Sequence, residues 1–116
     1  MRGKWTKLAW IALVMILIVV GCSSKAIFPT GIFANKDWTW EFFPDGSYYA
    51  DGPDAHESGT YSVTGDQITI EGDFCPEIIG TYTWTYKNEA LSFRLISDKC
   101  TSRMDTVRNG QWLKQP

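Results

Sequence analysis

The stretch that decides the fold reads Gly59-Thr60-Tyr61-Ser62-Val63-Thr64-Gly65-Asp66-Gln67-Ile68-Thr69-Ile70-Glu71. Apolar and polar residues alternate on both sides of a Thr-Gly-Asp turn, which is the pattern of two antiparallel strands joined by a hairpin. The Gly-Thr-Tyr opening returns at Gly80 and leads through Lys87-Asn88-Glu89 into a strand that ends near Leu95. Two copies of a hairpin are too few for a solenoid, so the repeat predicts an up-and-down meander.

The chain on either side of this repeat continues the pattern. Trp38-Thr39-Trp40-Glu41-Phe42 alternates, Pro44-Asp45-Gly46 is a turn signal, and Ser47 to Ala50 is the returning strand. Ser97 to Gly110 is the one helix candidate in this part, and Gln111-Trp112-Leu113 is predicted to add a closing strand. We expect roughly seven or eight short strands, as in small antiparallel barrels.

One face of these strands is apolar and the other is polar, as expected for an antiparallel sheet with one buried side. Such a sheet has to cover its apolar face, and without a long helix the economical solution is to curl into a barrel. The predicted inward residues are Trp38, Trp40, Phe42, Tyr61, Val63, Ile68, Ile70, Tyr82, Trp84, Tyr86, Leu91, Phe93 and Leu95.

The amino terminus has the order of charges and apolar residues that is typical of an export signal. Arg2, Lys4 and Lys7 precede an uninterrupted apolar run from Leu8 to Val20. As a helix, this run would rise roughly 20 Å, which is short of the ~30 Å of hydrocarbon that a permanent span has to cross. We therefore interpret residues 1–21 as a signal peptide.

The apolar run ends in Val19-Val20-Gly21-Cys22, which resembles the lipobox of bacterial lipoproteins. The resemblance implies cleavage after Gly21, attachment of diacylglycerol to the Cys22 thiol, and acylation of the new amino terminus by a fatty acid such as palmitate. Two or three chains anchor a protein firmly, whereas one chain binds only marginally. The alternative is a short uncleaved anchor in which Cys22 is incidental.

This interpretation divides the chain into a signal peptide (1–21), a lipidated amino terminus and tether (22–30), and a lipocalin-like barrel domain (31–116). It predicts a cell-envelope protein anchored on the extracytoplasmic side. Ser23 stands where some lipoproteins carry an aspartate that retains them in the inner membrane. The expected address is therefore the outer membrane if the cell has one, and otherwise the outer face of the plasma membrane.

The charge balance restricts the partners. Three of the 11 basic residues and none of the 13 acidic residues lie in the first 21 positions, so the remaining chain carries a formal charge of −5. This balance argues against nucleic acid and against anionic lipid surfaces as partners. The sequence predicts no cofactor.

Cys75 and Cys100 form an even pair in a compartment that is oxidising, and a disulfide is the expected state. Two free buried thiols and metal ligation are the alternatives. Neither cysteine belongs to a Cys-x-x-Cys pair or stands near a histidine, so no ligand spacing favours a metal.

With these features the chain resembles the lipocalin-like small lipoproteins, which belong to the calycin group of up-and-down barrels. Lipocalins open with a Gly-x-Trp strand, and Gly31-Ile32-Phe33 is the nearest match, with phenylalanine in place of tryptophan. They also lay an arginine from near the last strand across that first aromatic ring, and Arg103 or Arg108 would have this role here.

The resemblance implies that a small apolar ligand binds inside the barrel. The aromatic residues that would line such a site are Trp40, Tyr61, Tyr82, Trp84 and Phe93. The alternative is that these side chains fill the interior themselves, because a barrel of about eight strands is only just wide enough for its own side chains.

One loop contains a polar cluster, Asp51-Gly52-Pro53-Asp54-Ala55-His56-Glu57, with the single histidine of the chain. Its carboxylates and imidazole are able in principle to bind a divalent cation or to perform acid–base chemistry, but such a loop is more often simply solvated. The sequence contains no catalytic signature motif, so we predict no enzyme and no metal site. The competing function is a protein-binding module, such as an inhibitor of lysozyme or of another envelope hydrolase, for which the acidic surface would suit a basic target.

Overall fold

The computed structural model describes residues 27 to 116, so the predicted signal peptide, Cys22 and most of the tether lie outside the described residues. Within residues 27–116 no helix has the length and apolar character needed to cross a membrane. The elements, in chain order, are β1 (Gly31–Asn35), β2 (Trp38–Phe42), β3 (Ser47–Asp51), β4 (His56–Thr64), β5 (Gln67–Gly72), β6 (Gly80–Lys87), β7 (Ala90–Ser97), α1 (Thr101–Val107) and β8 (Trp112–Lys114).

The eight strands form one closed antiparallel barrel in which each strand pairs with its neighbours in sequence. The short strand β8 completes the ring. On one side it pairs with β1 through Phe33–Lys114 and Ala34–Leu113, and on the other side it pairs with β7 through Ala90–Leu113 and Leu91–Trp112. The predicted meander, the closure into a barrel and the single short helix near the carboxyl terminus are confirmed.

The interior of the barrel is filled by aromatic rings that pack on one another. The Trp40 ring lies 5.1 Å from Phe42, 5.2 Å from Tyr48 and 5.4 Å from Trp112, measured between centroids. These contacts fall in the range in which aromatic pairs attract beyond their burial. The buried apolar cluster consists of Phe28, Phe33, Trp40, Phe42, Tyr48, Ala50, Ile68, Ile70, Tyr82, Trp84, Leu91, Phe93, Val107 and Trp112.

Alternation predicts eight of these fourteen residues, misses Phe28, Phe33, Tyr48, Ala50, Val107 and Trp112, and wrongly places one exposed residue inside. Leu95 was expected inside but is 37% exposed. It lies beyond the part of β7 that β8 covers, and the β6–β7 register shifts next to its partner Tyr82. Trp38 and Tyr86 are only partly buried and pack against the cluster from its edges.

Tyr48 enters the interior because two glycines leave room for its ring. Gly59 and Gly72 face each other across β4 and β5. A Cβ atom on Gly59 would lie 2.7 Å from the Tyr48 ring, and one on Gly72 would collide with the Tyr48 hydroxyl. The glycine pair therefore allows β3 to direct a large side chain inward.

Successive loops of an up-and-down meander lie at alternate ends of the barrel. The two ends differ in how these loops cover them. One end, called here the closed end, is covered by residues 73–79 and by 98–111, which include α1. The predicted Cys75–Cys100 disulfide joins these two segments, with a Cα–Cα distance of 5.9 Å. The opposite end, called here the mouth, is formed by the loops 43–46, 65–66 and 88–89 and by the segment before β1.

Candidate functional site

A wide concavity of about 1050 Å³, more open to solvent than enclosed, lies at the mouth and is called here the mouth cavity. Its walls come from the ends of β4 and β6, and its rim comes from the loops after β2 and β4. A volume of this order is comparable to that of small-molecule sites, which are typically concave and mostly apolar. The aromatic and aliphatic lining consists of Ile27, Phe28, Tyr61, Val63, Trp84 and Tyr86.

The polar atoms of two wall residues are bonded within the protein. Trp84 Nε1 donates a hydrogen bond to the carbonyl of Gly65 at 3.1 Å, and the Tyr61 hydroxyl donates to the carbonyl of Phe43 at 2.5 Å. Burial, together with the negative charge of Asp45, raises the pKa of Tyr61 and keeps its hydroxyl neutral. With these groups satisfied, the two rings contribute mainly apolar surface to the cavity.

The rim of the mouth is acidic. Asp45 and Asp66 both line the cavity. Hydrogen bonds to the Asp45 carboxylate from the Ser47 hydroxyl at 2.6 Å and the Ser47 backbone N–H at 2.9 Å lower the pKa of Asp45. The site therefore combines an apolar wall with two carboxylates at its entrance, and Lys114, which donates to the carbonyl of the lining residue Thr30, adds one positive charge at the same end.

The floor of the cavity is the ring of Phe28, which is buried among three other rings. Its centroid lies 5.1 Å from Phe42, 5.2 Å from Trp84 and 5.5 Å from Tyr61. The predicted domain division assigns residue 28 to the tether (22–30), ahead of the first strand. In the structure, the packed part of the chain includes Phe28, before the first strand.

The structure separates the five predicted ligand residues into two groups. Tyr61 and Trp84 line the mouth cavity. Three of them, Trp40, Tyr82 and Phe93, lie deeper in the barrel. The centroid of the Phe93 ring lies 6.2 Å from that of Trp40 and 6.3 Å from that of Tyr82. The candidate site is therefore at one end of the barrel, above a filled interior.

The predicted contact of an arginine with the first aromatic residue is made by a lysine. Lys114 Nζ lies 5.6 Å from the centroid of the Phe33 ring and donates a hydrogen bond to the carbonyl of Thr30 at 2.7 Å. Arg103 is buried at the closed end, and Arg108 is exposed after α1. Lys114 is two residues beyond the tryptophan that begins β8, so it was available to sequence reasoning as a third candidate.

Arg103 is part of a buried polar cluster at the closed end. Its Nε donates to Asp98 Oδ2 at 2.8 Å, and its Nη2 donates to the carbonyl of Ile78 at 2.7 Å. The Tyr82 hydroxyl also donates to Asp98. Burial alone would raise the pKa of Asp98, but the hydrogen bonds from Arg103 and Tyr82 outweigh it and lower the pKa.

Two buried donors at this end have no hydrogen-bond partner among residues 27–116, namely Trp40 Nε1 and Arg103 Nη1. Both side chains border a void of about 10 Å³ between the core and α1. The closed end is held together by the hydrogen bonds that Asp98 accepts from Arg103 and Tyr82.

The side chains of the polar cluster between Asp51 and Glu57 point in different directions. His56 Nδ1 lies 2.6 Å from Asp51 Oδ1 on the surface. Glu57 is buried, where it accepts hydrogen bonds from the Tyr48 hydroxyl at 2.7 Å and from the backbone N–H of Phe74 at 3.1 Å. In the described part of the chain, no three histidine, cysteine or acidic side chains come together as a metal site.

The fold and the site define a class: an eight-stranded antiparallel β-barrel, compatible with a lipocalin-like fold, with one closed end and one open end. Comparison with known proteins finds no family model, no curated protein and no solved structure that matches this chain.

Proposed function

We propose that this chain is a lipid-anchored extracytoplasmic binding protein that takes a small, neutral, apolar ligand at the mouth of its barrel. The observation that carries the proposal is the mouth cavity of about 1050 Å³ with its aromatic wall. A ligand at this site would pack against Tyr61, Trp84 and Tyr86, above the filled interior of the barrel.

The acidic rim supports a neutral ligand over an anionic one. Asp45 and Asp66 lie on the same rim, and the hydrogen bonds from Ser47 lower the pKa of Asp45. A carboxylate or sulfonate that entered past these residues would be repelled by their charge. The proposed ligand class is therefore a neutral apolar molecule rather than a fatty-acid anion.

The position of Phe28 supports a site close to the membrane. Phe28 lies at the mouth, and Cys22 precedes it by six residues in the sequence. At ~3.5 Å per residue this separation is at most roughly 20 Å. If Cys22 carries the lipid, the mouth lies near the bilayer surface, where apolar molecules are abundant.

The test is a binding titration of the domain from residue 23 onward. This part contains every described strand, the helix, the disulfide and the whole apolar core, so it is expected to fold without the first 22 residues. The probe is neutral N-phenyl-1-naphthylamine, and the comparison ligand is the same ring system with one sulfonate, 1-anilinonaphthalene-8-sulfonate. We expect saturable binding that is tighter for the neutral probe.

Two tyrosine variants locate the site. Tyr61→Ala removes a wall residue, whereas Tyr49→Ala removes an exposed tyrosine on the outside of the barrel. Tyr61→Ala should weaken binding of the neutral probe, and Tyr49→Ala should leave it unchanged. An equal effect of the two variants, or the absence of saturable binding by the wild type, would contradict the proposal.

The second candidate is a protein-binding module, including an inhibitor of a lysozyme-type hydrolase. The filled interior favours it, because Trp40, Tyr82 and Phe93 are buried against one another inside the barrel. Exposed Ile79, Leu95 and Ile96 near the closed end add apolar surface of the kind found at protein interfaces. Inhibition of lysozyme by the domain in a cell-wall lysis assay, without binding of the apolar probe, would support this candidate against the first.

A further inference from the structure

Phe28 is buried although its segment has few other attachments to the barrel. Its exposed fraction is 8%, whereas that of the preceding Ile27 is 87%. Among residues 27–116, the first hydrogen bond to this segment is the one that the Thr30 carbonyl accepts from Lys114, and strand pairing begins at Gly31. The position of Phe28 therefore depends mainly on the packing of its ring.

The three rings around Phe28 form a socket, defined by Phe42, Tyr61 and Trp84. Phe42 and Trp84 meet the Phe28 ring nearly edge to face, with interplanar angles of 82° and 84°. Tyr61 is tilted by 43°. Edge-to-face contacts between aromatic rings depend on the charge distribution of a flat ring, which an alkyl chain lacks.

The socket lies between the mouth cavity and the filled interior of the barrel. Beneath it, Phe42 stacks on Trp40 with a centroid distance of 5.1 Å and an interplanar angle of 16°. On the side of the mouth, Phe28 and two of the socket residues, Tyr61 and Trp84, border the mouth cavity. A ligand in this cavity therefore gains a ring-sized extension of its site only where Phe28 leaves the socket.

We propose that the socket is a binding site for a planar apolar ring, that Phe28 fills this site in the free protein, and that the ring of the ligand takes its place. This inference rests on the proposed function, and it adds the chemical class of the ligand and an internal competitor for the same site. When the binding-competent state is a minor population, the apparent affinity falls in proportion to that population. Phe28 thus lowers the affinity of the socket for its ligand.

The test compares Phe28→Ala with the wild-type domain in a titration with N-phenyl-1-naphthylamine. If the socket is open in about a tenth of wild-type molecules, removal of the competitor should tighten binding roughly tenfold. Phe74→Ala is the matched control, because it deletes the same ring at the closed end, where Phe74 contacts Trp38. Binding by this control should equal that of the wild type. Phe28→Leu, which keeps apolar volume without a ring, should give a smaller gain in affinity. It replaces Phe28→Ala in the titration if Phe28→Ala does not fold.

A second measurement tests the planar shape directly. Benzene should raise the melting temperature of Phe28→Ala more than cyclohexane does, and neither should raise that of the wild type by as much. An equal response to the two solvents would overturn the planar-ring assignment.

The outcomes separate this inference from the proposed function. If the wild type binds the probe and neither Phe28 variant binds it more tightly, the role of Phe28 as a competitor is refuted, whereas the proposed ligand site at the mouth is not. If neither the wild type nor the variants bind it, both proposals are refuted.

Discussion

At the scale of single residues, the core contains two equally buried tryptophans with different surroundings. Trp40 and Trp112 are each 1% exposed, and their rings touch. Trp112 Nε1 donates to the carbonyl of Val107 at 3.2 Å, whereas Trp40 Nε1 has no partner among residues 27–116. Replacing each tryptophan by phenylalanine therefore separates the contribution of the indole N–H to the free energy of unfolding from the contribution of ring volume.

We predict that Trp112→Phe destabilises the domain more than Trp40→Phe does, by about 1 kcal/mol, because Trp112→Phe gives up a hydrogen bond within the protein and leaves the Val107 carbonyl without its donor. Urea unfolding of the two variants at neutral pH measures the difference in the free energy of unfolding. A larger loss in Trp40→Phe would mean that its indole N–H is bonded in solution.

The second residue-scale prediction concerns Asp98, whose carboxylate is buried with Arg103. Asp98→Asn leaves the guanidinium without its counter-charge, and loss of one partner of a buried pair costs about 3–5 kcal/mol. Because the pKa of Asp98 is lowered by folding, its stabilising effect is present above its ordinary pKa and is lost as pH falls through the lowered value.

Thermal unfolding between about pH 5 and pH 2 tests this acid dependence, because the ordinary pKa of aspartate lies near 4. The wild type should lose more stability over this range than Asp98→Asn does. Asp105→Asn, an exposed aspartate of α1, is the control and should behave like the wild type. Equal acid sensitivity of wild type and Asp98→Asn would show that the Asp98–Arg103 pair does not contribute to it.

At the scale of elements, α1 is too short to be stable alone and is fixed at both ends. A helix of seven residues is marginal in water without tertiary contacts. Cys100, the residue before its first turn, is disulfide-bonded to Cys75, and Val107 in its last turn accepts the hydrogen bond from Trp112. The closed end therefore depends on covalent as well as non-covalent attachment.

We predict that Cys75→Ser lowers the melting temperature by more than about ten degrees. A bridge between residues 25 apart contributes about 3 kcal/mol in the chain-entropy model, and a domain of this size shifts by ~4–8 °C per kcal/mol. Calorimetry of the oxidised protein measures the change. Two alkylatable thiols in the native, unreduced wild type would contradict the bond itself.

The strands show which parts of the architecture are predictable from sequence. Alternation places Trp40, Ile68 and Leu91 correctly, because a strand whose two faces differ in polarity has a fixed orientation. It misplaces Leu95, which lies near the end of β7, where the β6–β7 register shifts beside its partner Tyr82. Such a register shift is set by tertiary pairing and has no local signal.

The candidate site shows a similar division. Tyr61 and Trp84 are recognisable as inward aromatic residues, but their position at the mouth depends on which end of the barrel α1 and the disulfide close. Phe28 stands outside any alternating pattern, so its place in the core follows only from the assembled barrel. The apolar run Ala26-Ile27-Phe28 after the polar residues Ser23 to Lys25 was the one available signal.

At the scale of the whole molecule, the proposal depends on an anchor that lies outside the described residues. We predict that Cys22→Ser leaves an unprocessed precursor with its signal peptide, because modification of the thiol precedes cleavage in lipoproteins with this motif. Metabolic labelling with a fatty acid distinguishes the two proteins. Equal labelling of wild type and variant would contradict the anchor.

The barrel as a whole has one end that is closed by α1 and one that is open, and the central claim is that the open end binds an apolar ligand. The most direct measurement is amide chemical-shift mapping of the domain from residue 23 onward by NMR, with and without saturating N-phenyl-1-naphthylamine. We predict that the shifts change at the mouth, in residues 28–30, 43–46, 65–66 and 84–86, and stay constant at the closed end, in residues 73–79 and 98–107. Changes concentrated at the closed end, or no saturable change at all, would contradict the claim.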